Sequence, residues 1–244
     1  MSKDIAEKPY SDITLNADEL LKELRKEPLR PFSAFNLPVP DAKLFTEFFA
    51  KHPLSEKKGL GAVFSKVRVT NGAADFSGVP FFPESVSELH PDFVGNYLAA
   101  IFADWLRQAL IDSRQSFSFE TVMSGPDKVQ LLEKAQQAGY RTYLYFVTTS
   151  DVKINIGRVR FRVTQGGHDV PEKDIVNRYT KTMHHLRGAL KCSYRAYLFD
   201  NSAEGQQPVF IAELVPEGEM IYRTEILPAW YEQYVEGEQP ETKS

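Results

Sequence analysis

Glu120 and Thr121 close the run Ser116-Phe117-Ser118-Phe119-Glu120-Thr121. A carboxylate at the end of a strand can orient a substrate hydroxyl, and an adjacent hydroxyl can add a hydrogen bond. Both residue types are also ordinary strand-end groups that bond to backbone. Asp18 sits in Asn16-Ala17-Asp18-Glu19. A carboxylate there could take the proton from an attacking hydroxyl, or it could serve only as a helix-start acid favoured by the macrodipole. Arg158 and Arg162 are four apart, on one helical face, and Arg178 follows the Gly166-Gly167 pair. The arginine fork binds phosphate oxygens in pairs and keeps its charge, so these three could close on phosphates from two sides. Lys153, Arg160, Lys173 and Lys181 complete the basic set, and a solvated helix face accounts well for Lys153 and Arg160. His168 has no second histidine at ligand spacing, and the adjacent His184 and His185 do not make a metal site. A loop-ordering role suits it better.

The elements that must position these groups alternate. Ile13 to Leu15 reads as a short strand. Asn16 and Glu19 have the form of a capping box, opening a helix with Leu20, Leu21 and Leu24 on one face that stops before Pro28. Asp41 to Lys51 reads as a helix with Leu44, Phe45, Phe48 and Phe49 inward. Val63 to Thr70 alternates like a strand, and Asn71-Gly72 is a turn signal. Phe93 to Asp112 is the clearest helix, and Phe117 to Val122 a short strand. A helix opened by Ser124-Gly125-Pro126-Asp127 stops at Gly139. Tyr140 to Val147 has the apolar character of a strand buried on both faces. Ser150 is the expected cap of a helix to Thr164, ended by Gly166-Gly167, and the next helix runs to Leu190. Arg195 to Phe199 and Val209 to Val215 are the last strands.

This alternation predicts an α/β fold with a parallel sheet flanked by helices, in which ligands sit beyond the carboxyl ends of the strands. Asp18, Glu120 and Thr121 all lie at predicted strand ends. Residues 1–11 are expected to be loose, 12–215 to form the α/β domain with an inserted subdomain or cap at about 28–91, and 216–244 to form a tail anchored by Trp230, Tyr231 and Tyr234 with a disordered acidic end.

Composition narrows the function. A net charge of −4 and a pI near 5.8 argue against a protein that coats nucleic acid. The lone Cys192 excludes an intrachain disulfide and a cysteine zinc site and fits a reducing, cytoplasmic compartment. The most apolar run, Tyr97 to Leu110, is broken by Asp104 and Arg107, so no membrane span is expected. Met1 to Tyr10 has no apolar core of a signal peptide.

The segment from Ser116 to Tyr179 resembles the zeta-toxin-like P-loop kinase family. That family shows a Phe-x-Phe-Glu-Thr-x-x-Ser strand end, a Gly-Tyr-x-x-x-Leu-x-Phe strand, and a lid of the form Arg-Val-x-x-Arg-Val-x-x-Gly-Gly-His-Asp-Val-Pro. Here these are Phe117 to Ser124, Gly139 to Phe146 and Arg158 to Pro171. Asn16 to Glu19 resembles the family's Asn-x-Asp-Glu element, and Phe199-Asp200-Asn201-Ser202 also looks like the family. The resemblance implies a nucleoside-kinase-like three-layer architecture and a kinase that uses ATP or GTP with Mg²⁺ to phosphorylate a hydroxyl of a UDP-N-acetylglucosamine-type sugar. It implies Asp18 as the catalytic base, Glu120 and Thr121 as acceptor-binding residues, and Arg158 and Arg178 as phosphate contacts of the lid, with Arg162 as an alternative lid contact. An antitoxin-like protein partner could fill the sheet edge that a missing strand would leave exposed.

One departure stands out. The sequence contains no Gly-x-x-x-x-Gly-Lys-Ser/Thr, whose amides, lysine and hydroxyl would cradle the nucleotide phosphates and Mg²⁺. Only Met1 to Leu15 precede the Asn-x-Asp-Glu element, whereas a strand, phosphate loop and helix need roughly 30 residues. The first strand and phosphate loop are therefore expected to be absent. This leaves two expectations: an impaired or incomplete kinase, or a catalytically inactive, pseudokinase-like module that binds a nucleotide-sugar or a partner protein.

Overall fold

The computed structural model describes residues 13–82, 88–167 and 169–237. The expectations for the loose start, the disordered acidic end and His168 fall outside these residues. The chain divides into two compact units, Met1–Glu120 and Thr121–Ser244. It is an α/β protein whose strands form three sheets among the described residues, rather than one parallel sheet.

The first unit is built around α5 (Pro91–Asp112), which starts with Pro91 at its first position and is capped by His90. Val94, Leu98, Ile101, Phe102, Leu106 and Leu110 are buried along it, which makes it a core helix rather than a surface one. The helix α1 (Ala17–Lys26) packs on it through Leu20, Leu21 and Leu24. Gly95 permits that approach, since a Cβ there would lie 2.9 Å from Leu21 Cδ1.

Short elements complete the unit: β2 (Leu29–Pro31), a 3-10 turn (Phe32–Phe35), α2 (Ala42–Lys51), α3 (Pro53–Lys57), α4 (Gly61–Phe64), β3 (Arg68–Thr70) and β4 (Ala73–Asp75). Phe32, Phe45, Phe49, Phe76 and Phe81 enter the same core as α1 and α5. The rings of Phe32 and Phe45, and of Phe49 and Phe76, meet edge-on, an arrangement ring quadrupoles favour. The order β2-β4-β3 is antiparallel throughout. Asn71 and Gly72 join β3 to β4 with φ of 50° and 76°, the double positive turn that matches hairpin twist.

Two local expectations fail here. Residues 61–64 are helical and only 68–70 are strand, because Leu60 and Phe64 are needed together on one core-facing side. Leu44 points outward with 68% exposure, since burying Phe45 and Phe49, one turn apart, turns position 44 to the far side.

The second unit is a four-stranded mixed sheet, β6 (Tyr143–Thr148), β7 (Arg195–Asp200), β8 (Val209–Leu214) and β9 (Met220–Tyr222), in that order. β6 and β7 are parallel, and β8 and β9 extend the sheet antiparallel. One face packs Phe146, Ala196, Leu198 and Ala212 with Met183, Leu186 and Ala189 of α8 (Glu172–Lys191) and with Trp230. The helix α6 (Asp127–Gln137) packs against α8. β6 is not buried on both faces: Tyr143, Tyr145 and Val147 are exposed, Val147 by 53%. The apolar run reflects aromatic and β-branched strand preference on the outer face as well as core packing on the inner. The crossover from β6 to β7 runs through α7 (Val152–Thr164) and α8. Asp151, not Ser150, caps α7, its carboxylate accepting from Lys153 N at 2.8 Å. Among the described residues no helix is long and apolar enough to cross a membrane.

Candidate functional site

In the first unit the site begins with the parallel pair β1 (Thr14–Leu15) and β5 (Ser118–Phe119), in register Thr14 to Ser118 and Leu15 to Phe119. Alternation sends Leu15 and Phe119 to the core side and leaves Thr14 and Ser118 on the other face, where their hydroxyls lie 3.0 Å apart. One step on, beyond the carboxyl ends of both strands, Asn16 Nδ2 donates to Glu120 Oε2 at 3.0 Å. The other end of the same amide caps α1: Asn16 Oδ1 accepts from Asp18 N at 2.9 Å and Glu19 N at 3.2 Å. Asp18 is thus in the first turn of α1, with its carboxylate exposed. The structure brings Asp18 and Glu120 to the same end of one parallel pair. The reciprocal half of the expected capping box does not form, because Glu19 pairs with Lys22 at 2.6 Å instead.

Beside Phe119, the residue before Glu120, lies a polar network whose Asp104 and Arg107 served in the sequence only to exclude a membrane span. Arg107 Nη2 donates to Asp104 Oδ1 at 3.1 Å. Asp104 Oδ2 also meets Gln108 Nε2 at 3.1 Å and His52 Nε2 at 3.2 Å. His52 Nδ1 accepts from Leu54 N, so its proton sits on Nε2 and is directed at the carboxylate. The Arg107 guanidinium lies over the Phe119 ring, 5.4 Å from its centroid. The signal available in advance was the charged pair three apart inside the most apolar helix.

The second unit holds the remaining candidates. Thr121 is exposed, and its hydroxyl accepts from Met123 N at 3.0 Å. That turn lets Met123 take a φ of 53° and bury its side chain. The carboxyl ends of β6 and β7 are laced together. Asn201 N donates to Thr148 O at 2.7 Å, Ser150 N to Ser202 Oγ at 2.7 Å, and Trp230 Nε1 to Asp200 Oδ2 at 2.7 Å.

Arg158, half-buried on α7, donates through Nη2 to Asn201 O at 2.7 Å, which directs its guanidinium over the end of β7. Tyr179 of α8 donates to Thr149 O at 2.8 Å. Burial, reinforced by Tyr234 and the charges of Asp151 and Asp200, pushes its hydroxyl pKa up to about 12. Arg162 lies one turn beyond Arg158 and is exposed. Its carbonyl accepts from Gly167 N at 3.0 Å, and a Cβ at Gly167 would fall 2.6 Å from Arg162 Cγ. Arg178 is exposed on α8. Arg160 is taken up by an ion pair with Glu172 across the loop joining α7 and α8, as a solvated face would use it.

A family model described as Zeta toxin matches residues 82–213, more than half of the chain. The chain belongs to the zeta-toxin family. The matched region contains Glu120, Thr121, Arg158, Arg162 and Arg178. Asp18 lies outside it, and its link to the zeta-toxin motifs is the Asn16 bridge to Glu120. An uncharacterized protein of Haemophilus influenzae (strain ATCC 51907 / DSM 11121 / KW20 / Rd) is 32% identical over 63 residues, 26% of this chain and 45% of the relative. The chain therefore spans under half the length of this curated relative. No solved structure matches.

Proposed function

We propose that this zeta-toxin chain carries the acceptor-binding and phosphate-closing parts of a kinase that transfers the terminal phosphoryl group of ATP or GTP to a hydroxyl of a UDP-amino-sugar. Glu120 orients the acceptor hydroxyl and Thr121 adds a hydrogen bond, its proton being free to donate while its lone pair serves Met123 N. Asp18 receives the hydroxyl proton as that oxygen bonds to the γ-phosphorus and the bond to the β–γ bridging oxygen breaks, releasing the nucleoside diphosphate. Arg158, Arg162 and Arg178 neutralise the phosphate oxygens, and the preset direction of Arg158 lowers the cost of ordering it. The observation that supports this reading most directly is the meeting of Glu120 and the first turn of α1 at the ends of β1 and β5, in a chain of this family.

Among the described residues no three Asp, Glu, His or Cys side chains form a group able to hold a metal ion. Mg²⁺ would thus arrive on the nucleotide phosphates, as this ion commonly does, and no step above depends on a protein cage for it. The lack of Gly-x-x-x-x-Gly-Lys-Ser/Thr in the sequence favours a second reading, a non-catalytic module that binds a sugar nucleotide without turnover. An antitoxin-like protein partner is compatible with either reading.

Calorimetry with UDP-N-acetylglucosamine and with ATP plus Mg²⁺, alongside a phosphoryl-transfer assay, separates them. Binding of both with product formation is the outcome expected of the kinase. Sugar-nucleotide binding alone supports the module. Binding of neither removes both readings.

A further inference from the structure

We propose that Asn16 is a positioning residue: it holds the Glu120 carboxylate in register with the first turn of α1, the turn that carries Asp18. The roles of Glu120 and Asp18 rest on the kinase reading above. The geometry of the amide leaves it one orientation. Asp18 N and Glu19 N are donors, so they must face an acceptor, and Asn16 Oδ1 meets them at 2.9 and 3.2 Å. The Glu120 carboxylate is an acceptor, so it must face a donor, and Asn16 Nδ2 meets Oε2 at 3.0 Å. A flipped amide would set donors against donors and oxygen against carboxylate.

Other capping residues would do half of this. Serine, threonine and aspartate can cap a helix, but aspartate has no proton to offer Glu120, and a hydroxyl is shorter than an amide. Asparagine supplies an acceptor and a donor on opposite sides of one rigid plane. The neighbouring rung, Thr14 Oγ1 with Ser118 Oγ at 3.0 Å, fixes the two strands side by side at the same level. Glu120 Oε1 makes no hydrogen bond to the described residues, so the clamp uses one carboxylate oxygen and leaves the other for an acceptor hydroxyl.

Asn16→Asp and Asn16→Ser retain the cap and remove the clamp, and are compared with Asn16→Ala and Glu120→Ala. The melting temperature of Asn16→Ser should stay close to the parent's, that of Asn16→Asp should fall somewhat because its carboxylate faces Glu120, and Asn16→Ala should melt lower for want of a cap. Affinity for UDP-N-acetylglucosamine should fall about 10-fold in the Asp and Ser variants, the effect of losing a hydrogen bond to a charged group. Glu120→Ala combined with Asn16→Ser should bind no more weakly than Glu120→Ala alone. Unchanged affinity in the Asp and Ser variants would overturn the assignment and leave Asn16 a helix cap only.

A second measurement is independent of any ligand. The Asn16 side-chain amide resonances, assigned by their loss in Asn16→Asp, should exchange slowly with solvent and shift in Glu120→Ala. Insensitivity to Glu120→Ala would overturn the clamp. If the parent protein binds no sugar nucleotide but this resonance shifts, the clamp stands and the kinase reading falls.

Discussion

The Asp104 network makes a quantitative prediction about which of its members matters. At least three donors converge on one carboxylate: Arg107 and Gln108 at 3.1 Å, and His52 at 3.2 Å. Asp104→Leu removes the shared acceptor and strands the Arg107 guanidinium, whose side chain is 8% exposed and whose Nε is already buried without a hydrogen-bond partner among the described residues. Breaking a buried charge pair by removing one partner costs about 3–5 kcal/mol. Asp104 itself is 25% exposed, so water can reach the vacated side, and the lower figure, about 3 kcal/mol, applies. Arg107→Met is different. It leaves Asp104 the His52 and Gln108 donors and water access, keeps apolar volume along the arginine stem, and loses the contact with Phe119, for a cost of about 1 kcal/mol. With a urea m-value of about 2 kcal/mol/M, the midpoints should fall by about 1.5 M and about 0.5 M. The chain has two tryptophans, Trp105 in the first unit and Trp230 in the second. Urea titration of 5-fluorotryptophan protein by fluorine NMR therefore reads each unit separately, and the shift should appear at Trp105. Equal shifts for the two variants, or a larger one for Arg107→Met, would refute the shared-acceptor reasoning.

The raised Tyr179 hydroxyl sets an alkaline limit. Its folded pKa of about 12 lies above its ordinary 10, so the folded state holds the proton longer. Its contribution is full below pH 10 and is lost as pH rises toward 12, so stability should decline across that window and decline less in Tyr179→Phe. A decline of equal slope in both proteins would exclude Tyr179 as its source. Gly167→Ala should force Arg162 aside, given the 2.6 Å approach, and speed amide exchange in the last turn of α7; unchanged exchange would show that the turn absorbs the methyl group. Arg158→Ala should weaken phosphate-ligand binding about 10-fold, while Lys153→Ala, at an exposed position, should leave it nearly unchanged. Calorimetry showing equal losses would refute the assignment of Arg158.

Much of this fold is written locally. The Asn16 cap, the Asn71-Gly72 hairpin, the core helix ending at Asp112 and the Gly166-Gly167 stop depend on interactions within a few residues, and each is where its residue types put it. The misreadings involve choices settled by distant partners. Val63 looks like a strand residue until Leu60 and Phe64 are seen to share one core. Tyr143, Tyr145 and Val147 look buried because period-2 patterning cannot separate an apolar outer face from a covered one. β9, Met220–Tyr222, lies in a segment read as tail, since a three-residue strand leaves little pattern. The candidate residues themselves were legible as types at element ends. The bond between Asn16 and Glu120 was not, because it joins positions 104 residues apart in sequence.

The boundary between the two units falls between Glu120 and Thr121, inside the Phe-Glu-Thr run. Glu120 follows β5 and bonds to Asn16, while Thr121 belongs to the turn that buries Met123. Two neighbours in sequence thus take their conformations from different hydrophobic cores. A mutation that loosens the core under Leu15 would disturb Glu120, and one that loosens the core around Met123 would disturb Thr121, so defects at these adjacent positions would have separate structural origins.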